Sequence, residues 1–138
     1  MAFTGNITCN SFKTGLMNGS FDFSTDTFYI ALYTNAATLD YSTTEYTSTG
    51  EVVASGYAAS PLTVTVTPTT GSTGTVAYIS FSNVSWTAAF TARGALIYKP
   101  GADGAICVLD FGSDKTSTTT FTVQFPAATN TSAIIRIA

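Results

Sequence analysis

The side chains able to do chemistry in this chain are carboxylates, hydroxyls, phenols and two thiols, because histidine is absent altogether. That excludes histidine-based acid–base catalysis, histidine-oriented triads and most zinc sites. Asp22 and Asp26 stand near each other, and Asp40, Glu45 and Glu51 follow in one polar stretch, yet none has the compact oxygen spacing of a calcium loop. Two carboxylates drawn from Asp22, Glu45 and Asp110 would form a glycosidase pair only if the fold set them across one cleft. Otherwise the acids read as a solvated rim. Cys9 and Cys107 are too few for a disulfide scaffold and have no metal-ligand spacing, so they read as buried thiols. Glycines 101 and 104 bracket a turn, with no helix behind it to cradle a phosphate. The expectation is a chain that is not an enzyme and has no catalytic, cofactor-binding or metal-binding residue. Its conspicuous side chains are aromatic instead: Trp86, the one tryptophan, with Phe90, Tyr57 and Tyr46, read as anchors of a core or a subunit interface.

The elements that must position these residues are strands. Threonine is about one residue in five, tyrosine and phenylalanine are abundant, and charged residues make up 9% of the chain, against about 25% in an ordinary domain. Branched and aromatic side chains suit a pleated surface. The 138 residues fit a single domain over 1–138, able to bury roughly 68% of the unfolded chain's surface, with an N-terminal arm over about residues 1–20 that is extended. A net charge of −3, with Lys13, Arg93, Lys99, Lys115 and Arg136 scattered along the chain, argues against a nucleic-acid partner. No apolar run reaches the length of a membrane span, and the N-terminus lacks the charged start and apolar core of a secretion signal, so synthesis in a cytoplasm is expected.

The strongest local signal is a hairpin. Residues 91–98 (TARGALIY) and 105–111 (AICVLDF) flank Lys99-Pro100-Gly101-Ala102-Asp103-Gly104, a connection that turns the chain back on itself. Residues 26–34 (DTFYIALYT) are apolar on both faces and read as a central strand. Residues 62–66 (LTVTV) alternate as a half-buried strand, 68–74 as a turn and 75–81 as its return. After Asn83 the apolar phase shifts to Val84 and Trp86, the mark of a bulge or bend. Phe121, Val123 and Phe125 alternate before Pro126, and a last strand places Ile135 and Ile137 inward and Arg136 outward. Residues 11–19 space Phe12, Leu16 and Met17 as one or two helical turns, with Ser11 as cap and Gly19 as stop. The polar stretch 35–56, with a short helix or loop at 44–49 and a brief strand at 51–54, is either mobile or packed on a neighbour, and 113–119 is a loop. Together these describe an all-β antiparallel β-sandwich, Ig-like or jelly-roll-like, with a short N-terminal helical turn.

The ordered series of fragments resembles small structural proteins of tailed bacteriophages. The similar stretches are residues 12–19 with 26–34, Glu45-Tyr46 with Gly50-Glu51-Val52 and Gly56-Tyr57-Ala58, Val84-Ser85-Trp86 with 91–98, and Val108-Leu109-Asp110-Phe111-Gly112 with 121–126. They span most of the chain and depart at Ser60-Pro61-Leu62, where the resembling proteins carry a glycine. The resemblance implies a non-enzymatic virion component made in the host bacterial cytoplasm. On that implication the chain is a decoration or cement protein on the major capsid protein, a homotrimer or other homo-oligomer, with no membrane or nucleic-acid partner. A tail or fibre-associated protein and a carbohydrate-binding adhesion module are the alternatives.

Overall fold

The computed structural model describes residues 3–64 and 76–137. The hairpin forms as β6 (Phe90–Tyr98) and β7 (Ala105–Ser117), antiparallel, with Leu96 opposite Val108 and Ile97 opposite Cys107. Its turn closes with the Lys99 N–H donating to the Gly104 carbonyl at 2.8 Å. β2 (Phe28–Tyr33) pairs with the other edge of β6, setting Ala31 opposite Leu96, and takes β3 (Ser60–Leu62) on its own far edge. β1 (Ile7–Thr8) pairs with β7 and completes a five-stranded sheet in the order β1-β7-β6-β2-β3. The central strands carry apolar runs on both faces because both faces are covered.

On one face Ile30, Leu32 and Ile97 pack against two short ribbons, β4 (Ala77–Ile79) with β9 (Ile135–Ile137) and β5 (Val84–Trp86) with β8 (Phe121–Val123), and against Phe12 of α1 (Asn10–Asn18). On the other face Ala31, Tyr33, Leu96 and Val108 pack under Phe3, Cys9, Ala37 and Leu39. The architecture is all-β, antiparallel in every described pairing, with one short N-terminal helix.

The chain bends where the apolar phase shifts. β4 and β5 are separate strands with different partners, and Asn83 between them accepts the Phe125 N–H at 2.8 Å. α1 stops as expected at Gly19, whose φ of 78° is the left-handed conformation glycine adopts without a Cβ penalty. Its start differs. Phe12 and Lys13 donate their N–H groups to the Cys9 carbonyl, while the Ser11 hydroxyl reaches across to the Ala105 carbonyl at 2.7 Å. Met17 and Leu16 face outward, because the helix rests on the core through Phe12 and Gly15.

Several other expectations give way to tertiary context. The polar run at 113–119 joins β7 as far as Ser117: past a bulge in which Arg93 alone faces residues 111–114, Lys115 pairs with Ala92 and Ser117 with Phe90. Hydroxyl pairs hold this part of the ladder, Thr91 with Thr116 at 2.8 Å, and Ser117 donates to the Ala88 carbonyl at 2.7 Å. Ile135 is half-buried but Ile137 is 52% exposed, at the end of a β9 that among the described residues pairs with β4. In the described part of the arm, residues 3–20, Phe3 is buried, β1 lies along β7, and α1 follows. Of the strand at 62–66 and its return at 75–81, residues 65–75 with the 68–74 turn lie outside the described residues. Val64 bridges Phe81, and among the described residues β4 pairs with β9.

Candidate functional site

The segment 35–56 is built onto its own sheet. Its backbone is stitched at four places: Tyr41 accepts the Asn10 N–H, Thr44 that of Ala105, Gly50 that of Thr34, and the Val52 N–H donates to Leu32, all at 2.8–2.9 Å. Ala37, Leu39 and Val52 are buried beneath it. The helix at 44–49 does not form, and the strand at 51–54 is reduced to a bridge between Glu51 and Tyr33. The polar composition marks a segment whose backbone groups find partners on neighbouring elements of the same chain, as buried backbone must.

Glu51 is the centre of this arrangement. One carboxylate oxygen accepts the Tyr57 hydroxyl at 2.7 Å and the other accepts the Tyr46 hydroxyl, while the Tyr57 oxygen in turn accepts the Leu32 N–H at 2.8 Å. Tyr57 thereby links the loop, β2 and the core. Its ring lies 5.9 Å from Trp86 and 5.5 Å from Phe90, and the Trp86 indole N–H donates to the Ala58 carbonyl at 2.7 Å. The four aromatic anchors read from the sequence thus form one connected group. Trp86 and Phe90 are core, Tyr57 is half-buried, and Tyr46 is 38% exposed at the rim, stacked on Tyr98 at 5.0 Å. The sequence reading missed Glu51 as their link, and it missed Tyr98 and Tyr29, which extend the stack. An acid between two tyrosines in a loop, Glu51 between Tyr46 and Tyr57, is the signal that finds it. The hydrogen bond to Glu51, with partial burial, pushes the Tyr46 phenol up to about 12. Burial raises Tyr57 and Tyr33 further. All three stay protonated near neutral pH and act as donors, which is structural rather than nucleophilic chemistry.

Four of the other acids also hold the chain. Asp22 accepts the Ser24 N–H, Asp40 that of Ser42, and Asp26 pairs with Lys99 at 2.9 Å. Asp110 has the most partners. It accepts the N–H groups of Gly112 and Gly5 and the guanidinium of Arg93 at 3.1 Å, while its own N–H donates to Asn6, so the N-terminal arm is tied to β7. Asp22 and Asp110 each face partners in their own neighbourhoods rather than one another across a cleft.

The Gly112 N–H, then Arg93, lower the Asp110 carboxyl below its usual range; the Lys99 ammonium lowers Asp26, and hydrogen bonds from Ser24 and Ser42 lower Asp22 and Asp40. A depressed folded-state value makes stabilisation complete above the unfolded value of about 3.9 and lost as pH falls through the folded one. Thermal midpoints are therefore expected to drop from about pH 5 toward pH 1, and Asp110→Asn to show a shallower drop than wild type. Parallel curves for the two proteins would remove Asp110 from the acid response.

Cys9 and Cys107 are both free and buried, in cores on opposite faces of the sheet. Burial pushes Cys9 up to about 11 and Cys107 up to about 12, so both stay as unreactive thiols.

No family model, curated protein or solved structure matches this chain. Among the described residues no group of three or more Cys, Asp or Glu stands placed to hold a metal ion, and no helix is long and apolar enough to cross a membrane. The surface has two further features of note. A groove of about 450 Å³ runs between β7 and β8, lined by Phe111, Lys115, Thr116, Thr122 and Gln124, and a small apolar crevice of about 90 Å³ lies between α1 and the β4–β9 ribbon.

Proposed function

We propose that this chain is a non-enzymatic virion structural protein that binds and stabilises the capsid shell of a tailed bacteriophage as a decoration or cement protein. Made in the host bacterial cytoplasm, it ends on the virion, bound to the major capsid protein as a homotrimer or other homo-oligomer. The observation that carries this reading is where the polar groups go. Asp26, Glu51 and Asp110, with the phenols of Tyr33, Tyr46 and Tyr57, fasten loops to a sheet buried on both faces, and Asp22 and Asp40 hold turns within those loops. Such a body is stiff and weakly charged, suited to covering a surface by shape and backbone contacts without changing on binding. We read its layers as an open β-sandwich, the five-stranded sheet forming one layer and the two ribbons a split second one.

The fragments that resemble phage structural proteins fall on α1, β2, β5, β6, β7 and β8 and on the Glu51 clasp. Particles assembled without the protein are expected to lose heat and low-salt tolerance and to recover it when the protein is added back. Unchanged tolerance would end the cement reading, and co-purification with tails rather than DNA-filled heads would favour a tail protein. The groove beside Phe111 favours a second reading, a carbohydrate-binding module, because it sets an aromatic ring among hydroxyl and amide groups and its volume lies in the range of ligand sites. Selective retention on a glycan array distinguishes that reading.

A further inference from the structure

Asn18 is the last residue of α1 and the one asparagine of the chain that is followed by glycine. With no side chain on Gly19, little shields its backbone nitrogen from the neighbouring side-chain carbon Cγ. Asn6 and Asn83 precede the branched Ile7 and Val84, and their amide oxygens are held by the Asp110 and Phe125 N–H groups from distant parts of the chain. Asn18 is exposed, and the partners of its Oδ1 are local: the Ser20 N–H at 3.1 Å and the Ser20 hydroxyl. Two donors thus sit on the oxygen that gains negative charge when a nucleophile adds to Cγ, which eases that addition.

The closed cap holds the nucleophile back. The Gly19 N–H donates to the Gly15 carbonyl, which also takes the Ser20 N–H at 2.8 Å, so the last turn must open before the Gly19 nitrogen reaches Cγ. Opening is cheap there. Residues 16–20 are all exposed and the helix rests on the core through Phe12 and Gly15, so its end frays without drawing a buried side chain out. The Ser20 contacts span two residues and need no helix to form.

We propose that Asn18 is a self-modification site, at which the Gly19 backbone nitrogen displaces the side-chain amide and leaves aspartate or isoaspartate at the end of α1. The Gly19 nitrogen gives its proton to hydroxide and bonds to Cγ; the Cγ–Nδ2 bond breaks, and Nδ2 leaves as ammonia with a proton returned from water. Water then opens the cyclic imide at Cγ, giving aspartate, or at the main-chain carbonyl, giving isoaspartate. One water is consumed and one ammonia released, with no change of oxidation state. Either product sets a carboxylate at the negative end of the α1 dipole, and isoaspartate also lengthens the main chain inside the cap. The change adds one negative charge to the net −3 and loosens α1 as the protein ages. It needs no partner and does not rest on the capsid reading.

Peptide mapping of the full chain by mass spectrometry, after ageing at mildly alkaline pH, tests the inference. The fragment carrying Asn18 is expected to gain one mass unit and to divide into aspartate and isoaspartate forms, faster as pH rises because the Gly19 nitrogen must lose its proton. Ser20→Ala, which keeps the N–H and removes the hydroxyl at an exposed position, is expected to convert several-fold more slowly. An Asn18 fragment of unchanged mass when a peptide of residues 15–22 has fully converted, an Asn83 fragment converting as fast as that of Asn18, or a Ser20→Ala rate equal to wild type each overturns the inference.

Discussion

Replacing Trp86 with alanine is expected to cost about 3–5 kcal/mol, the range for truncating a large buried aromatic. The indole is 5% exposed, its ring lies 6.4 Å from Phe121 and 5.9 Å from Tyr57, and its N–H donates to the Ala58 carbonyl. Alanine removes all of this at once and leaves a void between the β5–β8 ribbon and the sheet, which packed neighbours fill only in part. Trp86→Phe separates the two contributions: it keeps most of the packing and forfeits the hydrogen bond, for an expected loss of about 1 kcal/mol. Equilibrium urea melts of the three proteins give the comparison. An unchanged midpoint for Trp86→Ala would mean that the indole does not hold the ribbon to the sheet.

The hairpin of β6 and β7 and the central strand β2 were legible because each of their signals is local. A turn sequence sits between two apolar runs in one case, and both faces are apolar in the other. Trp86 was legible as an anchor from its rarity and its place in an alternating run. The clasp at Glu51 was not, because its three residues are joined by the path of the loop rather than by any period. Hydrophobic alternation is equally silent on the far half of β7, where Thr91, Thr116 and Ser117 hold the ladder through hydroxyl contacts. Charge and rarity drew attention to the carboxylates, yet what they do depends on which backbone N–H groups the fold brings to them. The exposed Val53 is the opposite case. In sequence it continues Val52 as an apolar pair, and only the bridge between Glu51 and Tyr33 decides which of the two faces water.

Gly94 shows the same limit most sharply, and it carries the second large effect. In sequence it interrupts a β-run for no local reason; in the fold it is the seat of Phe3. A Cβ added there would lie 2.4 Å from the Phe3 ring and 2.5 Å from the Leu109 carbonyl oxygen. The ring belongs to the N-terminal arm and is able to move away, whereas the carbonyl belongs to the paired backbone of β7 and is not. Gly94→Ala is therefore expected to reach or exceed the upper end of the roughly 1–3 kcal/mol typical of overpacking. Phe3→Ala, which empties a fully buried site, is expected to cost about 3–5 kcal/mol. The double variant discriminates between the two collisions. Without the ring, alanine at 94 meets only the carbonyl, so the pair should be less destabilised than the sum of the singles, by a coupling of about 0.5–3 kcal/mol. Strict additivity in urea melts would mean that Phe3 does not pack over Gly94 and that the arm is held to β7 by the Asp110 contacts and the β1 pairing alone.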